Sequence, residues 1–209
     1  MSLWLVRAGR HGEQEQGALD NNVVTIEWNE FNDLSKIKSR EELTELYLKL
    51  NPDSKKMKVA NEVGQIWRFI QEIQKGDLVA LPLKMKSGIS IGKVESDYEY
   101  KEITPNIKHI RYVKWIKTIP RSAFDQDILY SLGAFMTVCQ IERNNAENRV
   151  KQLLKEEIPP VEEGAPKGEE IIDVEDYAKD QIIKYIDKKF KGHNLARLVN
   201  AILEVQGDP

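Results

Sequence analysis

Apolar positions recur in short runs of period near two, and in a few stretches of helical period. Residues 3–9, Leu-Trp-Leu-Val-Arg-Ala-Gly, are an apolar run stopped by glycine. Residues 22–28 are β-branched and follow the turn-forming Asp20, Asn21 and Asn22, so both runs predict strands. Ser39 with Glu42 three residues on predicts a capped helix that runs to Leu50 and ends at Pro52. Val59, Val63, Ile66, Trp67, Ile70 and Ile73 share one face of a second helix, closed by Gly76. Beyond it the period shortens. Residues 77–83 and 89–95 predict strands around the turn Lys86-Ser87-Gly88, with Pro82 placing the first at an edge or a bulge. Residues 107–116 and 135–141 predict further strands, and 122–132 and 146–155 predict short helices. Five or six strands without a βαβα rhythm predict an α+β fold, a small curved or barrel-like mixed sheet with flanking helices.

The pattern then breaks. Residues 156–172 are rich in Pro and Glu and have no apolar period, which predicts a solvated linker. Apolar positions in 173–190 and 193–203 predict a C-terminal helical hairpin with a broad apolar face, too short for a core of its own. The expected organisation is a domain at 1–155, a linker at 156–172 and a helical segment at 173–209. Charge follows the same division. Residues 1–155 hold 24 Lys and Arg against 21 Asp and Glu, whereas 156–209 hold 7 against 13. With 41% hydrophobic and 31% charged residues, the chain is neither collagen-like nor wholly disordered. No apolar run approaches the roughly 18 residues of a membrane span, so no membrane partner is expected. There is no secretory leader pattern and one cysteine, Cys139, so a cytoplasmic protein with a buried, inert thiol is expected.

Candidate chemistry is sparse. His11, His109 and His193 show no metal-ligand spacing, and no phosphate-binding glycine loop is present. Asp77 with Glu99-Tyr100-Lys101 imitates the carboxylates and lysine that hold magnesium in nucleases. In a chain this rich in acids and lysines such matches arise by chance, and a solvated strand end is the expected reading, with no catalytic residue. A stronger signal lies between Lys101 and Arg121, where Lys108, Arg111, Lys114 and Lys117 add to those two against one acid, Glu102. Tyr98, Tyr100, Tyr112 and Trp115 are interleaved or adjacent. Cations that neutralise phosphates beside aromatic faces that stack bases suit nucleic acid, although lysines snorkelling over core aromatics give the same composition. Trp4, Trp28 and Trp67 each fit a core position.

Ordered blocks then carry a resemblance. Ser2-Leu3-Trp4-Leu5-Val6-Arg7-Ala8-Gly9, Ile26-Glu27-Trp28-Asn29-Glu30, Asp33-Leu34-Ser35, Ala60-Asn61-Glu62-Val63-Gly64-Gln65 with Arg68-Phe69, and Lys75-Gly76-Asp77-Leu78-Val79 come in this order. Ile91-Gly92-Lys93-Val94, Asp97-Tyr98-Glu99-Tyr100 and His109-Ile110-Arg111-Tyr112-Val113-Lys114-Trp115 follow. Together they resemble the N-terminal region of Mrr-like, modification-dependent restriction endonucleases, a PUA/EVE-type module related to YTH domains. Val174-Glu175-Asp176-Tyr177-Ala178-Lys179-Asp180-Gln181-Ile182, Phe190-Lys191-Gly192-His193-Asn194-Leu195-Ala196-Arg197-Leu198-Val199 and Ile202-Leu203-Glu204-Val205-Gln206-Gly207 resemble the opening of the Mrr catalytic domain.

That resemblance implies a module that flips a modified base of foreign DNA into a pocket. It implies a pocket with Arg7 as donor, Trp28 as stacking wall and Asn29 as edge contact, with Asn61 and Tyr98 as further members. Arg111, Lys114 and Lys117 would hold phosphates. The family's catalytic Asp and Glu/Gln-x-Lys come after the last residue here, so magnesium is expected with the full nuclease and no cofactor with this chain. Modified DNA is the expected partner, with a homodimer through the C-terminal helices. The alternatives are a non-catalytic regulator that binds DNA or RNA, and a protein-interaction module working through the 174–203 hairpin.

Overall fold

The structure, a computed structural model, describes residues 1–158. The chain divides into Met1–Lys167 and Gly168–Pro209. The expected 173–209 helices, and all of the expected linker beyond Ile158, lie outside the described residues. Among the described residues there are seven strands: β1 (Leu3–Val6), β2 (Val23–Ile26), β3 (Leu78–Pro82), β4 (Gly88–Val94), β5 (Glu99–Thr104), β6 (Ile107–Pro120) and β7 (Val138–Gln140). Five α-helices accompany them: α1 (Glu15–Asp20), α2 (Arg40–Leu50), α3 (Lys56–Trp67), α4 (Gln126–Leu132) and α5 (Ala146–Leu153). The sheet order is β2-β6-β4-β3-β1-β7, with β5 also on β6 and β1 parallel to β3. This is the α+β class with a curled mixed sheet and flanking helices.

The curl has a local cause. The first half of β6 pairs with β2 and β5 and its second half with β4. Ile91 pairs with Lys117 while Gly92 pairs with Trp115, which leaves Ile116 as an extra residue on β6. Such a bulge bends a strand and raises its twist. Gly92 makes the bend possible, because a Cβ there would meet the Trp115 ring at 2.8 Å.

Both faces of the sheet are covered, so β1 is buried at every position and shows no polar alternation. Trp4, Val6, Val79 and Val94 pack with Leu43 and Tyr47 of α2 and with Val59, Val63 and Ile66 of α3. Leu3, Leu5, Ala80, Ile89 and Ile91 face the other way, onto Ile128 and Leu132 of α4 and Val150 of α5. Ser39 caps α2 by accepting from the Glu42 N–H at 3.1 Å, as its spacing predicts. Three expectations need correction. Strand β5 was not predicted because its six residues are exposed or half-exposed and carry no apolar alternation. Helix α1 was missed as well, for it has six residues and buries only Glu15 and Ala18. Pro82 is not on an edge strand. β3 lies between β1 and β4, and Pro82 is tolerated because the β1 pairing stops at Ala80.

Two polar residues expected at a surface are instead buried. Arg111 is 2% exposed. Its Nε donates to the Phe69 carbonyl at 2.7 Å, Nη2 to Ile70 at 3.0 Å and Nη1 to Ser96 at 3.2 Å. Phe69 and Ile70 lie in the π turn, Arg68–Glu72, that continues α3. Burial brings the guanidinium down to about 10, so it stays charged at neutral pH. Asp77 is 7% exposed rather than solvated. It accepts from the Ser2 N–H at 2.7 Å, Trp4 Nε1 at 2.9 Å and the Gln74 N–H at 3.1 Å. With its oxygens committed to three N–H donors, Asp77 does not fit a magnesium ligand beside Glu99 and Lys101.

His109 is fully buried, between the Tyr98 hydroxyl at 2.7 Å from Nδ1 and the Phe31 carbonyl at 3.2 Å from Nε2. A carbonyl only accepts, so Nε2 carries the proton. The Tyr98 hydroxyl accepts from the Leu34 N–H at 3.2 Å and is left to donate to Nδ1. Burial lowers the His109 pKa from 6.5. The folded state then binds that proton less readily than the unfolded chain, so stability is intact above about pH 6.5 and falls as pH drops below it. Glu15, whose pKa burial raises, acts in the opposite direction on the acid side. Comparing wild type with His109→Gln isolates the imidazole, and the variant's melting temperature should fall less between pH 7 and pH 5. Arg111→Met leaves three carbonyls stranded and should cost about 3–5 kcal/mol, a drop in Tm on the order of 10 °C by thermal melting.

Candidate functional site

Strand alternation splits the end of β2 between two neighbours. Val24, Ile26 and Trp28 face α3, whereas Thr25 and Glu27 face the loop that follows β1. Trp28 lies just past the strand and is half-buried. Its Nε1 donates to Glu62 Oε2 at 3.1 Å, and the Tyr47 hydroxyl donates to the same oxygen at 2.6 Å. Burial, and then the Glu62 carboxylate, push the Tyr47 phenol up to about 12. The indole is therefore held by its polar edge. Glu62 also lies 3.8 Å from Lys58, one turn earlier on α3.

The same helix reaches the end of β1. Gln65 is 5% exposed and accepts from the Thr137 N–H at 2.7 Å and the Val138 N–H at 3.1 Å. Its Nε2 donates at 3.2 Å to Oδ1 of Asn61, which is exposed on the preceding turn. The Arg7 N–H donates to the Thr137 carbonyl at 2.9 Å, and Arg7 Nη2 donates to the Leu132 and Ala134 carbonyls at 3.0 and 3.2 Å. A continuous path of hydrogen bonds thus runs from Arg7 through Thr137, Gln65 and Asn61, while Glu62 on the same helix holds Trp28.

The loop after β1 completes this region. Gly9 adopts φ +87, and a side chain there would run into the Glu13 carboxylate and come within 3.1 Å of Glu27 Oε1. Gln14 is 6% exposed and its Nε2 reaches Glu27 Oε1 at 3.5 Å. Asn29 is half-buried, with Nδ2 donating to the Asn106 carbonyl at 3.2 Å. Carboxylates and amide oxygens dominate this mouth, while Lys55, Lys56 and Lys58 stand exposed at the start of α3. A cavity of about 490 Å³ lies there, between Leu50, Ser54, Lys55 and Lys58.

The predicted site residues thus separate. Trp28 and Asn61 lie at α3 through Glu62 and Gln65, Arg7 turns to the Leu132 and Ala134 carbonyls, and Asn29 bonds the Asn106 carbonyl. Tyr98 is 9% exposed and belongs to the core. Arg111 is inside the fold, where no phosphate reaches it. Lys114 is exposed on β6 opposite Lys93, and half-buried Lys117 donates to the Glu156 carbonyl at 2.7 Å. Of the interleaved aromatics, Tyr112 lies under Lys101 with its ring centroid 5.7 Å from Nζ. Cys139 is half-buried on β7, and burial raises its thiol pKa. Sequence reasoning missed Gln14, Glu27, Glu62 and Gln65. Gln65 had a visible signal, a polar residue set between the apolar positions Val63 and Ile66 on the buried face. Glu62→Leu should lower stability by about 1–3 kcal/mol by stranding the Tyr47 hydroxyl, whereas Glu62→Gln keeps an acceptor and most of that stability; urea midpoints distinguish the two.

No curated protein matches the chain. A solved structure that resembles it is the YTH domain of the Zygosaccharomyces rouxii MRB1 protein, determined in complex with N6-methyladenosine RNA. Identity is 7% and the TM-score 0.41, over 74% of this chain and 87% of that one. A family model described as a domain of unknown function, DUF8426, matches residues 4–141, which run from β1 to just past β7 and include every residue of the mouth. The chain belongs to that family.

Proposed function

We propose that this domain binds nucleic acid and takes one unstacked base against Trp28. The observation that carries the reading is the half-buried indole fixed by Glu62, with Asn61 next to Glu62 on α3 and exposed Lys58 one turn away. An indole held by its N–H keeps its ring orientation without solvent forces deciding it, which suits a stacking wall. Lys55, Lys56 and Lys58 suit the flanking phosphates, and Lys114 is a further candidate on β6. The ordered sequence blocks support the finer reading: a modified base in DNA, read by the recognition portion of a Mrr-like restriction endonuclease.

The test is binding of the full chain to matched DNA duplexes with and without modified bases, and to RNA of the same sequence, by fluorescence anisotropy. Trp28→Ala should lose about 1–3 kcal/mol of stacking, roughly ten- to a hundredfold in affinity, on modified DNA and much less on unmodified DNA. Lys58→Ala should weaken both DNAs alike and lower the salt slope by about one unit. A folded Trp28→Ala protein that binds modified DNA as before removes the pocket. Preference for the RNA keeps the base pocket and replaces the restriction reading with an RNA-binding regulator.

A further inference from the structure

Strand pairing gathers lysines on one face of β6. Lys114 lies directly across from Lys93 of β4, and Tyr112, two residues earlier, across from Val23 of β2. This is the face on which Ile89 and Ile91 of β4 pack under α4 and α5. Val94 and Val113 turn the other way, into the cluster that holds Val24, Ile26, Trp28 and the apolar residues of α3. Lys101 joins the row from β5, its Nζ donating to the Tyr112 hydroxyl at 3.0 Å and standing 5.7 Å from that ring's centroid. Lys93 and Lys114 are exposed, and neither forms an ion pair among the described residues, with Glu95 and Glu99 at the ends of the row included. Like charges directly opposite each other destabilise a sheet. Lysines on an edge strand have the separate use of discouraging pairing with another chain. That use does not apply here, because β6 lies between β2 and β4, and β4 between β6 and β3. A lysine pair kept open across interior strands is matched by a polyanion.

We propose that this open face is a second nucleic-acid contact, where Lys93 and Lys114 hold phosphates of the backbone and Lys101 on Tyr112 extends the row. The proposal rests on nucleic acid being the ligand, as proposed above. Trp28 turns to the other side of the β2–β6 pair, so the two contacts take different stretches of one polymer. Cross-strand Cβ atoms stand roughly 5 Å apart, and the flexible lysine stems spread their ammonium groups over neighbouring phosphates. Lys117, on the same face opposite Ile91, gives its ammonium to the neutral Glu156 carbonyl and so keeps its charge. Phosphate contacts carry no sequence information, so this face sets affinity and salt dependence and leaves base preference to Trp28.

The probes are duplexes of about 30 base pairs, DNA or RNA as the full chain prefers, with and without the modified base, over a series of salt concentrations. The full chain with Lys93→Gln and Lys114→Gln should bind both duplexes about tenfold more weakly at low salt, with a salt slope lower by about two units. Its ratio of affinities for modified and unmodified duplex should equal that of wild type. Its melting temperature should not fall, since the substitutions remove a repulsion. Lys93→Gln alone, expected to lower the slope by about one unit, makes the same test should the pair fail to fold. Trp28→Ala should do the reverse, changing the ratio and keeping the slope. An unchanged slope in the double variant, with the ratio lost in Trp28→Ala, overturns this inference and leaves base reading standing. A ratio that falls in the double variant makes the two surfaces one site and also overturns it. A lowered slope, with Trp28→Ala silent, supports this contact and removes the base pocket. No binding to either duplex overturns both.

Discussion

The fold depends on one buried cation. Arg111 cannot shed its charge at neutral pH, so the structure must surround it with acceptors, and it does so with three carbonyls. Two come from the π turn at the end of α3, where the widened backbone frees carbonyls that a regular helix would keep for itself. A helix C-terminus is also where a cation is electrostatically favoured. Arg111 pairs with Val24 across β6 and β2, so the guanidinium fixes the helix end against the strand that leads to Trp28. The distance between Trp28 and Glu62 is in this sense set by a residue that touches neither.

Asp77, Gln65 and Glu15 do the reverse, as buried acceptors that gather N–H donors. Asp77 gathers N–H groups from the chain start and from the turn before β3. Gln65 serves the N–H groups at the entry to β7, and Glu15 those of Lys84 and Met85 at 2.8 and 3.3 Å in the β3–β4 hairpin. Each lies where a strand begins or ends and the ladder leaves backbone groups unpaired. Buried polar side chains here act as strand caps, so the parallel β1–β3 pair and the short β7 can end abruptly without stranded amides.

That economy explains which parts of the molecule were legible in the sequence. The strands at 3–9, 22–28 and 107–116 and the helices after Ser39 and Lys55 were readable because burial imposes a period on apolar residues. The caps were misread for the same reason. Asp77 opens a strand and Tyr98 and Arg111 belong to or adjoin a basic and aromatic stretch, and composition does not separate a charge that faces solvent from one that faces three carbonyls. Partner identity depends on tertiary neighbours such as Phe69, 42 residues away in the chain. The resemblance in ordered blocks singled out Arg7, Trp28 and Asn61, but it gave no reason to notice Gln65, whose carbonyl oxygen is used only once the entry to β7 has folded beside α3.

Charge around the mouth is sorted by distance from the indole. Carboxylates and amide oxygens crowd the ends of β1 and β2, and exposed lysines begin one helical turn away at Lys58. An anion approaching this surface is drawn to the lysines and repelled near the exposed Glu13 and Glu27 carboxylates. A polymer that alternates phosphates with flat, donor-bearing rings fits that division. Such a polymer would set its phosphates at the lysines and a ring against the Trp28 indole.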